Sequence, residues 1–185
     1  MTTKTENWRL AQNSIAEFFT NHNFAVKQEV TLKIGKRIDI VALKKLPNVF
    51  LNVLIEVKDW NNVSRKKESQ FCEQIIDYII NYTLEKSRKS PTQDLWNKSN
   101  QTSNDLFIGI LCLTKDAHFS FRKISHHFVE KNNQILGIPY REQLVERIHL
   151  YVARSDFLPK VFEDLRYPLF KETKLIEWLE SKKEE

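Results

Sequence analysis

The hydrophobic pattern changes period repeatedly along the chain, and each change predicts an element. In "ENWRLAQNSIAEFFTNHNF", Trp8, Ala11, Ile15, Phe18 and Phe19 recur at helical spacing. "FAVKQEVTLK" then alternates, with Phe24, Val26, Val30 and Leu32 on one face of an expected strand. "IGK" predicts a tight turn, "RIDIVAL" a second strand and "NVFLNVLIEVK" a third, so the three form a meander. Ser64 is placed to cap the next helix, "RKKESQFCEQIIDYIINYTLEK", whose Phe71, Ile75, Tyr78, Ile79 and Tyr82 share a side.

Beyond it, residues 87–105 are polar, contain Pro91 and predict a long loop or lid in which Trp96 is either a packing anchor, the favoured reading, or a stacking side chain. "LFIGILCLT" reads as a buried strand, 117–132 as a basic amphipathic helix, 134–138 as a short strand, 140–152 as a helix and 156–185 as a helical tail. The order α-β-β-β-α-β-α-β-α predicts an α/β fold with a mixed central sheet flanked by helices. Residues 1–150 are expected to form the main unit, and 151–185 a helical extension packed on it.

Composition narrows the function classes. Of 185 residues, 41% are hydrophobic and 29% charged, enough for one domain with a sizeable core. Three glycines argue against a P-loop or a Gly-rich dinucleotide site. No run approaches the ~18 apolar residues of a membrane span, and "MTTKTENWRL" lacks a signal peptide's apolar run, so a cytoplasmic protein with no membrane partner is expected. Cys72 and Cys112 lie inside apolar segments and read as reduced core residues. The five histidines, with His126 and His127 adjacent, show no metal-ligand spacing. The net charge of +5 favours a polyanion such as nucleic acid, provided the chemistry agrees.

The chemistry lies in "RIDIVAL" and "LNVLIEVKDW". In the third strand Val49, Leu51, Val53, Ile55 and Val57 make one apolar face, and the other ends in Glu56 and Lys58. Asp39 interrupts the neighbouring strand, which could bring it beside Glu56. Two buried carboxylates raise each other's pKa, and a divalent cation relieves the conflict. Oxygen ligands suit Mg2+ or Mn2+. Lys58 would then face a phosphate and the attacking water. A single such pair is ordinarily a solvated edge, whereas three charges on two adjacent apolar strands point to a built site.

Asp39, sixteen residues, then Glu56-Val57-Lys58 resembles the D…ExK half-motif of the PD-(D/E)XK nuclease superfamily. The pattern is most similar to Mrr-like endonucleases and archaeal Holliday-junction resolvases, over about residues 8–150. The resemblance implies a restriction-endonuclease-like α-β-β-β-α-β core with C-terminal helices, and a Mg2+-dependent DNA endonuclease. It implies that Asp39, Glu56 and the Val57 carbonyl bind the cation and that Lys58 is the catalytic lysine. Gln74 and Tyr78 match a Gln-x3-Tyr motif of several such families, with Gln74 near the attacking water or the lysine. Related resolvases carry a first-helix glutamate where this chain has Gln12, leaving the set one anionic ligand short, and Glu17 is expected to be solvated. On such a core Lys66, Lys67, Arg88 and Lys89 become phosphate contacts. Double-strand cutting favours a homodimer, with the C-terminal helices as its interface. The alternatives are a non-catalytic DNA- or protein-binding module on a nuclease scaffold, and a structure-specific or RNA nuclease.

Overall fold

The computed structural model describes residues 4–46, 49–88, 105–125 and 147–169. Helix α1 (Lys4–Asn21) leads into the meander β1 (Ala25–Thr31), β2 (Arg37–Lys45) and β3 (Phe50–Lys58). Helix α2 (Arg65–Arg88) precedes β4 (Asp105–Leu113), β5 (Phe121–Lys123) and β6 (Ile148–Arg154). A 3-10 turn (Ser155–Phe157) then opens α3 (Leu158–Leu169). The six strands form one mixed sheet in the order β1-β2-β3-β4-β6-β5. β3, β4 and β6 are parallel, and β1, β2 and β5 run antiparallel to their neighbours. The α/β architecture expected from the pattern is present.

Each face of the sheet buries its own core. Ile15 and Phe19 of α1 and Val161, Phe162 and Leu165 of α3 pack with Val53, Ile55, Ile108 and Ile110. On the other face Phe71, Ile75, Ile76 and Ile79 of α2 pack with Leu54, Phe107, Leu111 and Val152. Ser64 caps α2, its Oγ accepting the Lys67 N–H at 3.3 Å. Gly109 lets α2 approach β4, because a Cβ there would lie 2.6 Å from Leu150 and 2.7 Å from Ile75. Gly35 makes the β1–β2 turn with a φ of 78°, which favours glycine. Cys72 and Cys112 are buried free thiols, and burial pushes Cys72 up to about 12.

The structure departs from the pattern in three places. Residues 121–123 form an edge strand on β6, not part of the helix expected over 117–132, and Phe121 stacks on Tyr151 at 5.8 Å. Residues 148–152 belong to β6, not to the helix expected over 140–152. That strand is covered on both faces, so its apolar residues do not alternate and their spacing imitates a helical stripe. β1 does not keep one buried face. Phe24 and Val26 pack with the α1 core, whereas Val30 and Leu32 pack with the α2 core. Glu29 lies between them with a φ of 53°, a left-handed residue that turns the strand over.

β6 runs across positions 150 and 151, and α3 packs against the same sheet. Among the described residues no helix is long and apolar enough to cross a membrane. The strand expected at 134–138 lies outside the described residues, as do His126, His127, Lys89 and Trp96.

Candidate active site

The site forms where β2 and β3 part. Their antiparallel ladder runs from Lys45↔Phe50 to Ile40↔Ile55, and the next step would set Asp39 opposite Glu56. Backbone pairing stops there, while the other edge of β3 stays paired with β4 through Lys58↔Leu113. The freed backbone groups need partners, and side chains supply them. The Asp39 carboxylate accepts the Val57 N–H at 2.8 Å. The Trp8 indole donates to the Val57 carbonyl at 3.1 Å, and the Gln12 amide donates at 3.0 Å to the Asp39 carbonyl, which the β1–β2 ladder leaves without a Glu29 rung. Trp8 and Gln12 lie one helical turn apart on α1, so one face of that helix serves both carbonyls.

Strand alternation puts Asp39, Glu56 and Lys58 toward the α2 layer. Glu56 is only 4% exposed. Its Oε1 accepts from Lys58 Nζ at 2.6 Å and from Gln74 Nε2 at 3.0 Å. Gln74 also donates to the Tyr78 hydroxyl at 2.5 Å. The expected residues Asp39, Glu56, Val57, Lys58, Gln74 and Tyr78 are therefore brought together. Tyr78 is buried in the core beneath Gln74, and burial raises its hydroxyl pKa.

The electrostatics are strained. Burial pushes the Asp39 carboxyl up from 3.8 to about 6, and repulsion from Glu56 and then Glu29 adds to this. The Val57 N–H and the Lys58 ammonium only partly offset it. Glu56 Oε2 is buried and has no hydrogen-bond partner among the described residues. A buried carboxylate oxygen without a donor costs on the order of 1–3 kcal/mol or more.

Among the described residues no three His, Cys, Asp or Glu side chains are grouped as a ready metal cage. What the site holds is a carboxylate pair with one orphaned oxygen. This donor chemistry fits a hard divalent cation that keeps part of its water shell, as Mg2+ does. The Val57 carbonyl, expected as a further cation oxygen, has one lone pair engaged by Trp8.

An open groove of about 490 Å3 borders the site, lined by Lys36, Gln70, Glu73, Gln74, Asp77 and Tyr78. Lys36 and Asp77 pair across it at 2.7 Å. Lys66 is exposed in the first turn of α2, and Lys67 lies over the Trp60 ring at 4.5 Å. Arg88 closes the same helix. Glu17 is exposed, as expected, whereas Gln12 is buried at 3% exposure.

Two participants were not legible as such. Trp8 reads in the sequence only as an apolar helix residue. Glu29 sits in an alternating strand and carries no local signal, because its left-handed backbone and its contact with Gln12 arise only in the fold. No family model matches the chain, and no match is found among curated proteins or solved structures.

Proposed function

We propose that the protein is a Mg2+- or Mn2+-dependent endonuclease that hydrolyses DNA phosphodiester bonds, with Asp39 and Glu56 holding the cation and Lys58 at the scissile phosphate. The observation that supports this reading best is the orphaned Glu56 Oε2 beside the buried Asp39 carboxylate, where two strands separate. A stability-driven sequence has no use for two repelling carboxylates at that point.

A bound divalent cation would supply charge stabilisation at the phosphate and a more acidic water. The residues of the chain do the rest. The Val57 N–H fixes one Asp39 oxygen. Lys58 and Gln74 both bind Glu56 Oε1, which directs Oε2 as the free ligand atom. Lys58 is about one-third exposed, at 32% of its side chain, so its ammonium is accessible to a phosphate oxygen and to the incoming water. Together these effects must lower the barrier by upward of ~15 kcal/mol, near the high end for enzymes. The net charge of +5 and the exposed Lys66 suit a polyanionic substrate, through contacts that position rather than specify.

The test is a panel of plasmid, linear duplex, junction, single-stranded DNA and RNA, each with Mg2+, Mn2+ or EDTA. Nicking or linearisation of DNA that requires the cation is expected. Binding without cleavage under every condition would favour a non-catalytic module, and preferential cutting of RNA would overturn the substrate assignment.

A further inference from the structure

The β1–β2 ladder lacks one rung. Gln28↔Ile40 and Val30↔Ile38 pair, but Glu29 and Asp39 between them do not. Glu29 is left-handed there, with a φ of 53°. For a residue with a Cβ this costs on the order of 1 kcal/mol and persists only where its surroundings fix it. They do so at both carboxylate oxygens. Oε2 pairs with the Arg37 guanidinium at 2.6 Å, and Oε1 accepts from Gln12 Nε2 at 2.8 Å. The same Gln12 nitrogen donates to the Asp39 carbonyl at 3.0 Å. Both amide protons are thus committed to acceptors, which sets the amide orientation. Glu29, Gln12 and Asp39 form a side-chain rung in place of the missing backbone rung.

We propose that Glu29 is a positioning residue for the candidate active site, acting through Gln12 to hold the Asp39 backbone so that its carboxylate meets the Val57 N–H. This rests on the nuclease reading only for its consequence in catalysis, since the geometry stands without it. Gln12 is then a donor between two acceptors and not a neutral stand-in for an acid. A glutamate at position 12 would set its oxygens against Glu29 and the Asp39 carbonyl and would loosen the site.

Amide hydrogen exchange followed by NMR on the cation-free protein tests this through the Val57 N–H, with the Ile108 amide in β4 reporting global opening. In Glu29→Ala and in Gln12→Glu, Val57 exchange is expected to rise about 10-fold or more relative to Ile108. Glu29→Gln keeps an acceptor oxygen and should hold that ratio within about 2-fold of the parent chain. An unchanged ratio in Glu29→Ala, a protected Val57 in Gln12→Glu, or no rescue by Glu29→Gln would each overturn the proposal. DNA cleavage by the same variants separates the two readings. If the parent chain does not cut DNA while the exchange pattern holds, the nuclease assignment fails and the rung remains. If the parent chain cuts and the ratio stays flat, the rung alone fails.

Discussion

Asn52 and Glu56 occupy the same face of β3 and are almost equally buried, at 1% and 4% exposure. Asn52 behaves as a structural residue. Its amide donates toward the Phe50 carbonyl, the Asp105 carboxylate and the Leu106 carbonyl, at 3.1 to 3.4 Å. It lies where β3 is paired on both edges, with Leu43 on one side and Phe107 on the other. Glu56 lies one step beyond the last β2–β3 rung and retains an oxygen with no partner. The same strand therefore carries a satisfied polar group at one end and an unsatisfied charged one at the other. On the proposed reading, the difference separates polarity that specifies a fold from polarity that serves a ligand.

The largest effect expected from this contrast is on chemistry. On the proposed nuclease reading, Asp39→Ala or Lys58→Ala should reduce cleavage by about 10³-fold or more, with circular dichroism and DNA retention largely unchanged. Full cleavage by either variant would remove Asp39 or Lys58 from the site. At the other end of the strand, Asn52→Ala strips the Asp105 carboxylate and two carbonyls of a donor. It should cost about 1–3 kcal/mol in denaturant unfolding, with cleavage per folded molecule unchanged.

The pH dependence of stability sharpens the comparison further. Asp39 titrates near 3.8 when unfolded and at about 6 when folded. Below about pH 4 the group is protonated in both states and costs nothing. As pH rises toward about 6 the unfolded chain ionises first, so the stability of the cation-free protein falls, and above that it levels off. Asp39→Asn should flatten this slope and stabilise the cation-free protein at neutral pH, by on the order of 1–2 kcal/mol after solvent screening. Thermal melts from pH 4 to 8 would show it, and a slope that persists in the variant would exclude Asp39 as its source. The smallest expected effect is Trp8→Phe, which removes the donor to the Val57 carbonyl but keeps the ring. A loss of about 1 kcal/mol is expected in chemical unfolding.

The two ends of β3 also differ in how far the sequence determines them. Alternation in "LNVLIEVKDW" was enough to put Glu56 and Lys58 on one face, and the polar break in "RIDIVAL" was enough to single out Asp39. The helical stripes of α1 and α2, the meander and Gln74 one turn before Tyr78 follow from the same short periods. Those periods are local, set by side chains two, three or four positions apart along a single strand or helix. The strand character of 148–152 does not follow, because burial on both faces erases the alternation that identifies a strand, and that of 121–123 does not follow because a three-residue edge strand is too short to show a period.

The separation of β2 from β3, the turning over of β1 at Glu29, and the hold of Trp8 and Gln12 on two freed carbonyls belong to the tertiary structure alone. Each depends on which backbone groups lose their partners when distant segments meet, and no single segment carries that information. The chain by itself determined which charged groups interrupt the apolar strands and share a face. The fold decided that Asp39 and Glu56 meet beyond the end of a ladder, where one buried oxygen is left without a donor.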